Sequence, residues 1–582
     1  MTISYTTEKN VLILIALLKA NKVKHVIASP GNTNTAFIGS IQNDPFFKIY
    51  SAVDERSAAY MACGIAAEID EPVVISCTGA TASRNYLPGL TEAFYRKLPV
   101  LAVTSTQAVS KIGHHVPQVI DRSVIQNDIA RYSVTLPIVK DNDDYWECEV
   151  KINTAILELT RHGGGPVHIN LPTNYELPFN TKELPSPRVM RRFTSHVVLP
   201  ALQGKVAVLV GSHKTWLPHE VDALEAFCGA YNAVVFCDHT SGYNGQYRVQ
   251  FSLIAAQELL ATKTYKPEVL IHIGEVSGDY PLLSMAGQQV WRVSEDGEVR
   301  DTFRCLTNIF EMPEHVFFSH YAKQKSATPV VNNYLADCQS ILSQVRNKIP
   351  QELPFSNIWL ASKLASKLPE NSVIHFGILN SLRTWNFFEL PTTVNSASNV
   401  GGFGIDGILS TIIGASLVNP NRLYFTVLGD LAFFYDMNAI GNRHVGSNLR
   451  ILMVNNGKGT EFRQYNHHAS YFGEAADKFV AAAGHYGNKS LTLVKHYAEN
   501  LGFEYLSAKN KAEFEQVYQR FISTTPTNKP MVFEVFTDSQ DESDALAMMH
   551  RLEQSPSSKA RNITKKLLGQ RGIRVLKRLL KS

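Results

Sequence analysis

Two short runs decide how this chain is read: Val427-Leu-Gly-Asp-Leu-Ala-Phe-Phe-Tyr-Asp-Met-Asn-Ala-Ile and Ile451-Leu-Met-Val-Asn-Asn-Gly-Lys-Gly. Each opens on an apolar segment typical of a strand buried on both faces, the first ending in Gly429-Asp430 and the second in Asn455-Asn456. Neighbouring parallel strand ends would bring a carboxylate, a side-chain amide and a backbone carbonyl to one point. Such an oxygen set suits a hard cation such as Mg²⁺, which keeps part of its coordination for water or phosphate. A helix starting at Asp430 would turn free N–H groups toward an anion. The two runs together predict a site for a metal-bridged diphosphate. Gly-Asp alone favours an ordinary strand, turn and helix with Asp430 as N-cap, so the rest of the chain decides.

Around these runs the sequence alternates strand and helix signals throughout. At 582 residues it exceeds one core. Residues 1–185 contain buried-strand segments at Val26–Ala28, Val73–Cys77, Val100–Thr104 and Val167–Leu171, with helical patterns over Ser57–Ile69 and Tyr86–Arg96. After the proline-rich join at Leu184, residues 186–350 repeat the pattern at Val206–Gly211, Val234–Cys237, Val269–Gly274 and Val290–Val293. Residues 351–545 hold Val373–Phe376, Leu423–Leu428, Ile451–Val454 and Met531–Val535, and 546–582 form a basic tail. The expected class is α/β, three domains each built on a mostly parallel sheet covered by helices. In such sheets ligands bind at the carboxyl-end loops, here Ser29-Pro-Gly-Asn and Thr78-Gly79.

Composition narrows the function. Hydrophobic content of 45% with 19% charged residues describes a globular enzyme, and seven scattered cysteines without a Cys-x-x-Cys pair argue against a disulfide framework or a zinc site. A reducing cytosol follows, and the apolar run Val11–Leu18 is too short to span a bilayer. Glu55 opens the small-residue helix Glu55-Arg-Ser-Ala-Ala. Asp54 and Glu55 could merely complement the helix dipole; alternatively, Glu55 could exchange a proton with an aminopyrimidine nitrogen.

Ser29-Pro-Gly, Asp54-Glu-Arg-Ser-Ala, Cys77-Thr-Gly-Ala-Thr-Ala, Gly404-Ile-Asp-Gly-Ile-Leu-Ser-Thr and Gly429-Asp-Leu with Tyr435-Asp-Met-Asn-Ala-Ile occur in matching order. Together they resemble the thiamin diphosphate enzymes over roughly residues 5–550, most closely the menaquinone-pathway branch, 2-succinyl-5-enolpyruvyl-6-hydroxy-3-cyclohexene-1-carboxylate synthase. The resemblance implies that Glu55 activates the aminopyrimidine, with Thr78 and Gly79 beside it. It implies Asp430, Asn456 and the Lys458 carbonyl as Mg²⁺ ligands, and Gly429, Leu431 and Ala432 against the diphosphate. Asn380 and Ser381 match the loop at the other end, and Gly404 and Ile405 the aliphatic wedge that bends the cofactor. A homodimer or homotetramer with active sites at the subunit interface is implied as well.

The chain also departs from that branch. Where the branch has Ser-Pro-Gly-Ser-Arg-Ser-Thr, this sequence reads Ser29-Pro-Gly-Asn-Thr33-Asn34-Thr, and its Asn-Arg-Gly is here Asn399-Val400-Gly401. A third family arginine falls near Trp385, with Arg383 close enough to substitute. Two guanidinium clamps for carboxylates are therefore missing. The donor is expected not to be 2-oxoglutarate, nor the acceptor isochorismate; an acceptor such as a sugar derivative fits better. His114-His115 resemble the paired histidines of 2-oxo acid decarboxylases. Gln118, His467 and His468 are further polar candidates near the substrate.

The tail carries nine Lys and Arg after residue 553, leaving −5 for the rest of a chain whose total is +4. Its leucines recur at near-helical spacing, which suits peripheral contact with an anionic inner membrane face. No aromatic interleaving accompanies the charge, so no nucleic acid is expected. The reading is a cytoplasmic thiamin diphosphate- and Mg²⁺-dependent carboligase that decarboxylates a 2-oxo acid and adds the resulting enamine to an acceptor. Non-oxidative decarboxylation releasing an aldehyde is the runner-up, and a non-catalytic scaffold the alternative from another class.

Overall fold

The structure, a computed structural model, describes residues 3–325, 333–484 and 490–553. The amphipathic pattern from Lys559 onward lies outside the described residues. The chain forms two compact units, Met1–Val197 with Asp296–Glu311, and Val198–Glu295 with Met312–Ser582.

The first unit is built on β1 (His25–Ala28), β2 (Lys48–Ser51), β3 (Val73–Cys77), β4 (Val100–Thr106), β5 (Tyr132–Thr135) and β6 (Val167–Pro172). They form a sheet of order β2-β1-β3-β4-β6-β5, parallel at every pairing. Alternate residues feed two cores, as the period of a strand requires. Val26, Val74, Leu101 and Val103 face one side with the helix Lys9–Ala20; Ile27, Val73, Ile75, Val100 and Ala102 face the other with the helix Glu55–Ile69. Burial on both faces is why these strands read as unbroken apolar runs. The same unit holds the parallel pair of β7 (Arg191–Thr194) and β13 (Leu306–Glu311).

In the second unit β8 (Val206–Val210), β9 (Val234–Cys237), β10 (Arg248–Val249), β11 (Val269–Ile273) and β12 (Gln289–Ser294) run in the order β10-β9-β8-β11-β12. A further sheet contains β14 (Val373–Phe376), β15 (Asn395–Ser398), β16 (Tyr424–Gly429), β17 (Leu449–Asn455), β18 (Glu504–Ala508) and β19 (Met531–Phe536), in the order β15-β14-β16-β17-β19-β18. Counted within each sheet, this is the strand order of the first unit repeated. The register of β16 on β17 pairs Gly429 with Val454, so Asp430 leaves the sheet beside Asn455, the last residue of β17, and Asn456 follows directly. Leu428, Ile451 and Met453 bury the strands against the helix Ile408–Val418.

All seven cysteines are free. Among the described residues no helix is long and apolar enough to cross a membrane.

Candidate active site

At the carboxyl ends of β16 and β17 the chain makes a cavity of about 200 Å³. Asp430 starts the helix Asp430–Asp436, is 2% exposed, and accepts the Gly457 N–H at 2.9 Å on Oδ2. Gly457 adopts φ +78°, a left-handed turn that glycine takes without strain and that aims this N–H back at the carboxylate. The two asparagines diverge. Asn455 donates to Glu534 Oε1 at 2.7 Å, while Asn456 lines the cavity and keeps a buried Oδ1 with no hydrogen-bond partner. Period-two alternation at a strand end produces this split.

The walls place most of the residues singled out from the sequence. Gly429, Leu431, Ala432, Asn380, Ser381 and Ile405 all line the cavity. Space above Gly429 is open: a Cβ there would meet nothing within 4 Å. At Gly404 a Cβ would strike the Asp406 carboxylate, which would have to move to admit a side chain beside Ile405. Lys458 turns its ammonium to Asp477 at 2.7 Å, an acid it shares with Arg463. Asn380 accepts from Gln464 at 2.7 Å. His467 caps its own turn by accepting the Ala469 N–H at 3.0 Å, and His468 is exposed.

Sequence reasoning missed Glu542 and Asn357. Glu542 is a buried wall residue whose carboxylate accepts the Asn357 N–H at 3.0 and 3.1 Å and the Thr537 hydroxyl at 2.8 Å. Burial pushes its carboxyl up to about 7, with those hydrogen bonds opposing the shift. Nothing local in the sequence marks this pair.

In the first unit, Asp54 caps the helix Glu55–Ile69 by accepting the N–H groups of Arg56 at 2.9 Å and Ser57 at 3.4 Å. Glu55 is thereby left to a different task. Its half-buried carboxylate accepts from Asn85 Nδ2 at 3.2 Å, and its charge helps raise the buried Cys77 and Tyr86. The Thr78-Gly79 turn is fixed from below by the Thr33 hydroxyl, which pairs with Thr78 Oγ1 and lies 3.3 Å from the Ser105 carbonyl. Above, a Cβ on Gly79 would approach the Gln118 carbonyl to 2.9 Å. His114, His115 and Gln118 are exposed in the adjoining loop, and Asn34 is buried on the Ser29 carbonyl at 3.0 Å.

Comparison with known proteins gives the family. Residues 11–125 match the family described as thiamine pyrophosphate enzyme, N-terminal TPP binding domain. The 2-succinyl-5-enolpyruvyl-6-hydroxy-3-cyclohexene-1-carboxylate synthase of Phocaeicola vulgatus is 31% identical over 566 residues, covering 93% of this chain and 98% of the relative. The protein of that name from Bacteroides fragilis is 30% identical over 560 residues, again 93% and 98%. The chain belongs to this synthase family. It is a thiamin diphosphate-dependent enzyme.

Three of the residues singled out from the sequence as substrate candidates have a definite structural setting. Thr33 is 2% exposed and spends its hydroxyl on the turn. Val400 is 4% exposed, and its Cγ1 would lie 3.1 Å from a Cβ on Gly278. Arg383 is ion-paired with Glu461 at 2.7 Å and stacked 4.7 Å from the Tyr280 ring centroid.

Proposed function

We propose that the chain is a thiamin diphosphate- and Mg²⁺-dependent carboligase that decarboxylates a 2-oxo acid and transfers the remaining acyl unit to an acceptor. One observation carries the cofactor assignment: Asn456 Oδ1 is buried without any protein donor, on the strand end beside the Asp430 carboxylate. A buried carbonyl oxygen left unsatisfied costs about 1–3 kcal/mol, and a metal ion removes that cost. Asp430, Asn456 and the Lys458 carbonyl would hold Mg²⁺ against the diphosphate, which the open face of Gly429 and the backbone of Leu431 and Ala432 would receive. Bound thiamin diphosphate supplies the carbon that adds to the 2-oxo acid and the electron sink that lets carbon dioxide leave.

The chain's own residues then divide the work. Glu55, released from capping by Asp54, exchanges a proton with the aminopyrimidine, flanked by Thr78 and Gly79. Ile405 wedges the cofactor, with Gly404 giving it room. His114 and His115 move protons at the substrate, and Gln118, Asn34, His467, His468 and Arg383 shape its surroundings. Glu55 of one subunit would serve the Asp430 site of another, which makes the enzyme a homodimer or homotetramer. Residues 1–185 are then the pyrimidine domain, 186–350 a central domain, 351–545 the diphosphate domain, and 546–582 a basic tail. Synthesis rather than aldehyde release is what the relatives matched over almost their whole length are named for.

The lack of a cation at Thr33 and Val400 favours a 2-oxo acid without a second carboxylate, joined to an acceptor such as a sugar derivative. The exposed His114-His115 pair favours a second reading, simple decarboxylation. Full-length protein with thiamin diphosphate, Mg²⁺ and a panel of 2-oxo acids separates the two. Carbon dioxide release that accelerates with acceptor, yielding a coupled product, supports the synthase; free aldehyde at full rate without acceptor overturns it. Fractionation of cells expressing the chain with and without 559–582 tests whether a cytoplasmic enzyme is held at the membrane by its tail.

A further inference from the structure

The first unit contains a buried cation with no anion to match it. Arg122 is 9% exposed. Its Nη2 donates to the Ser105 carbonyl at 3.3 Å and to Asn170 Oδ1 at 2.5 Å, while Nε and Nη1 are buried without a hydrogen-bond partner. Among the described residues no carboxylate forms an ion pair with it. Burial pulls the guanidinium down to about 10; the Cys77 thiol opposes this and the like charge of Arg84 adds to it. Leaving a buried charge uncompensated is costly, so a fold that keeps one has a reason to fill its empty side.

Arg122 and Arg84 line the same cavity of about 50 Å³, together with Ser83, Thr104, Gln126 and His168. The histidine adds no charge: its ring is held by Thr104 Oγ1 at 2.7 Å and Ser133 Oγ at 2.8 Å, and burial with the Arg122 charge drives it down to about 3. Asp121 borders the cavity too, but its carboxylate is exposed and engaged by the Ser123 N–H at 2.9 Å and hydroxyl at 2.6 Å. Two arginines and neutral hydrogen-bonding groups, together with the apolar Leu87, Leu90, Ala102, Val124 and Ile125, thus surround room for about three water-sized groups.

We propose that this cavity binds a small free monoanion of about three or four heavy atoms, such as formate, acetate or bicarbonate, paired with Arg122 and drawn in by Arg84. The bound ion acts beyond its own cavity. The Ser105 carbonyl accepts from both Arg122 and the Thr33 hydroxyl, so occupancy is linked to the turn that carries Thr78 and Gly79.

The test uses the full-length protein at constant ionic strength. Acetate or formate should raise the thermal midpoint saturably, by about 2 °C or more, whereas gluconate, too large for the cavity, should not. Arg122→Gln should abolish the response. Arg84→Gln changes an exposed residue and should fold normally while weakening acetate binding about threefold or more, measured by calorimetry. Equal responses to acetate and gluconate, or an undiminished response in Arg122→Gln, overturn the proposal. Where Arg122→Gln fails to fold, unchanged acetate affinity in Arg84→Gln overturns it instead.

Discussion

Asn455 and Asn456 are chain neighbours with opposite partners: the first donates to Glu534 at 2.7 Å, and the second keeps a buried oxygen with no protein partner. Glu534 depends on that bond. Burial raises its carboxyl, hydrogen bonds from Asn455 and Tyr505 pull it back, and the Asp430 charge pushes it up again. Asn455→Ala should therefore cost about 1–3 kcal/mol of stability by leaving a buried acceptor unpaired. Asn456→Ala should change stability little but weaken Mg²⁺-supported cofactor binding about tenfold or more, or 1.4 kcal/mol. Thermal melts and cofactor titrations of the two variants check this; the reverse pattern would exchange the roles given to the two residues.

Glu55 is the first residue of its helix and yet not its cap, because Asp54 takes the free N–H groups. Glu55→Gln keeps an oxygen for the Asn85 amide at nearly unchanged shape. It should reduce turnover by a factor of about 10² to 10⁴, the usual worth of a positioned acid–base group, while thiamin diphosphate still binds. Steady-state carbon dioxide release beside calorimetric cofactor binding is the measurement, and near-normal turnover would remove Glu55 from the mechanism.

How much could be read in advance depended on burial. β3, β4, β8, β9, β11, β14, β16, β17 and β19 stand out as apolar runs because most sit between two neighbours with both faces covered. The strands with no such signal are chiefly sheet edges, such as Lys48-Ile-Tyr-Ser in β2, Tyr132-Ser-Val-Thr in β5 and Asn395-Ser-Ala-Ser in β15, where one flank has no partner and polar residues are tolerated. The site followed the same rule. Asp430 and Asn456 were legible because strand ends in register must emerge together, whereas Glu542 reaches Asn357 across 185 positions of sequence. Only the packed fold makes that pair.

Glu542 gives the cavity wall a pH dependence. Its folded carboxyl lies near 7 and its ordinary value is 4.5, so between these pH values the folded state holds a proton that the unfolded chain has released. The group's contribution to stability is therefore highest below about pH 4.5, falls as pH rises to about 7, and is lost by about 3 kcal/mol above that. Glu542→Gln stays neutral and can still accept from Asn357. The stability difference between wild type and this variant should shift against wild type from pH 5 to pH 8. Parallel melts of the two proteins that do not diverge with pH would show that Glu542 is ionised in the folded state throughout.

The packing of Thr33 and Val400 leads to a prediction about the donor. A guanidinium–carboxylate contact contributes about 1.5–3 kcal/mol, and neither position can make one. A second carboxylate on the donor would lose its hydration without gaining that contact. Monocarboxylic 2-oxo acids should accordingly be preferred over 2-oxoglutarate by about tenfold or more in kcat/KM. Restoring the cation at Val400 should not reverse the preference: Val400→Arg forces a long charged side chain into a site 4% exposed against Gly278, and overpacking of that kind costs about 1–3 kcal/mol before the charge is counted. Competition assays with paired donors, with melts of the variant, decide the matter. A wild-type enzyme that turns over 2-oxoglutarate faster than pyruvate-like donors would mean that another cation, Arg383 foremost, has left Glu461 to take the clamp's place.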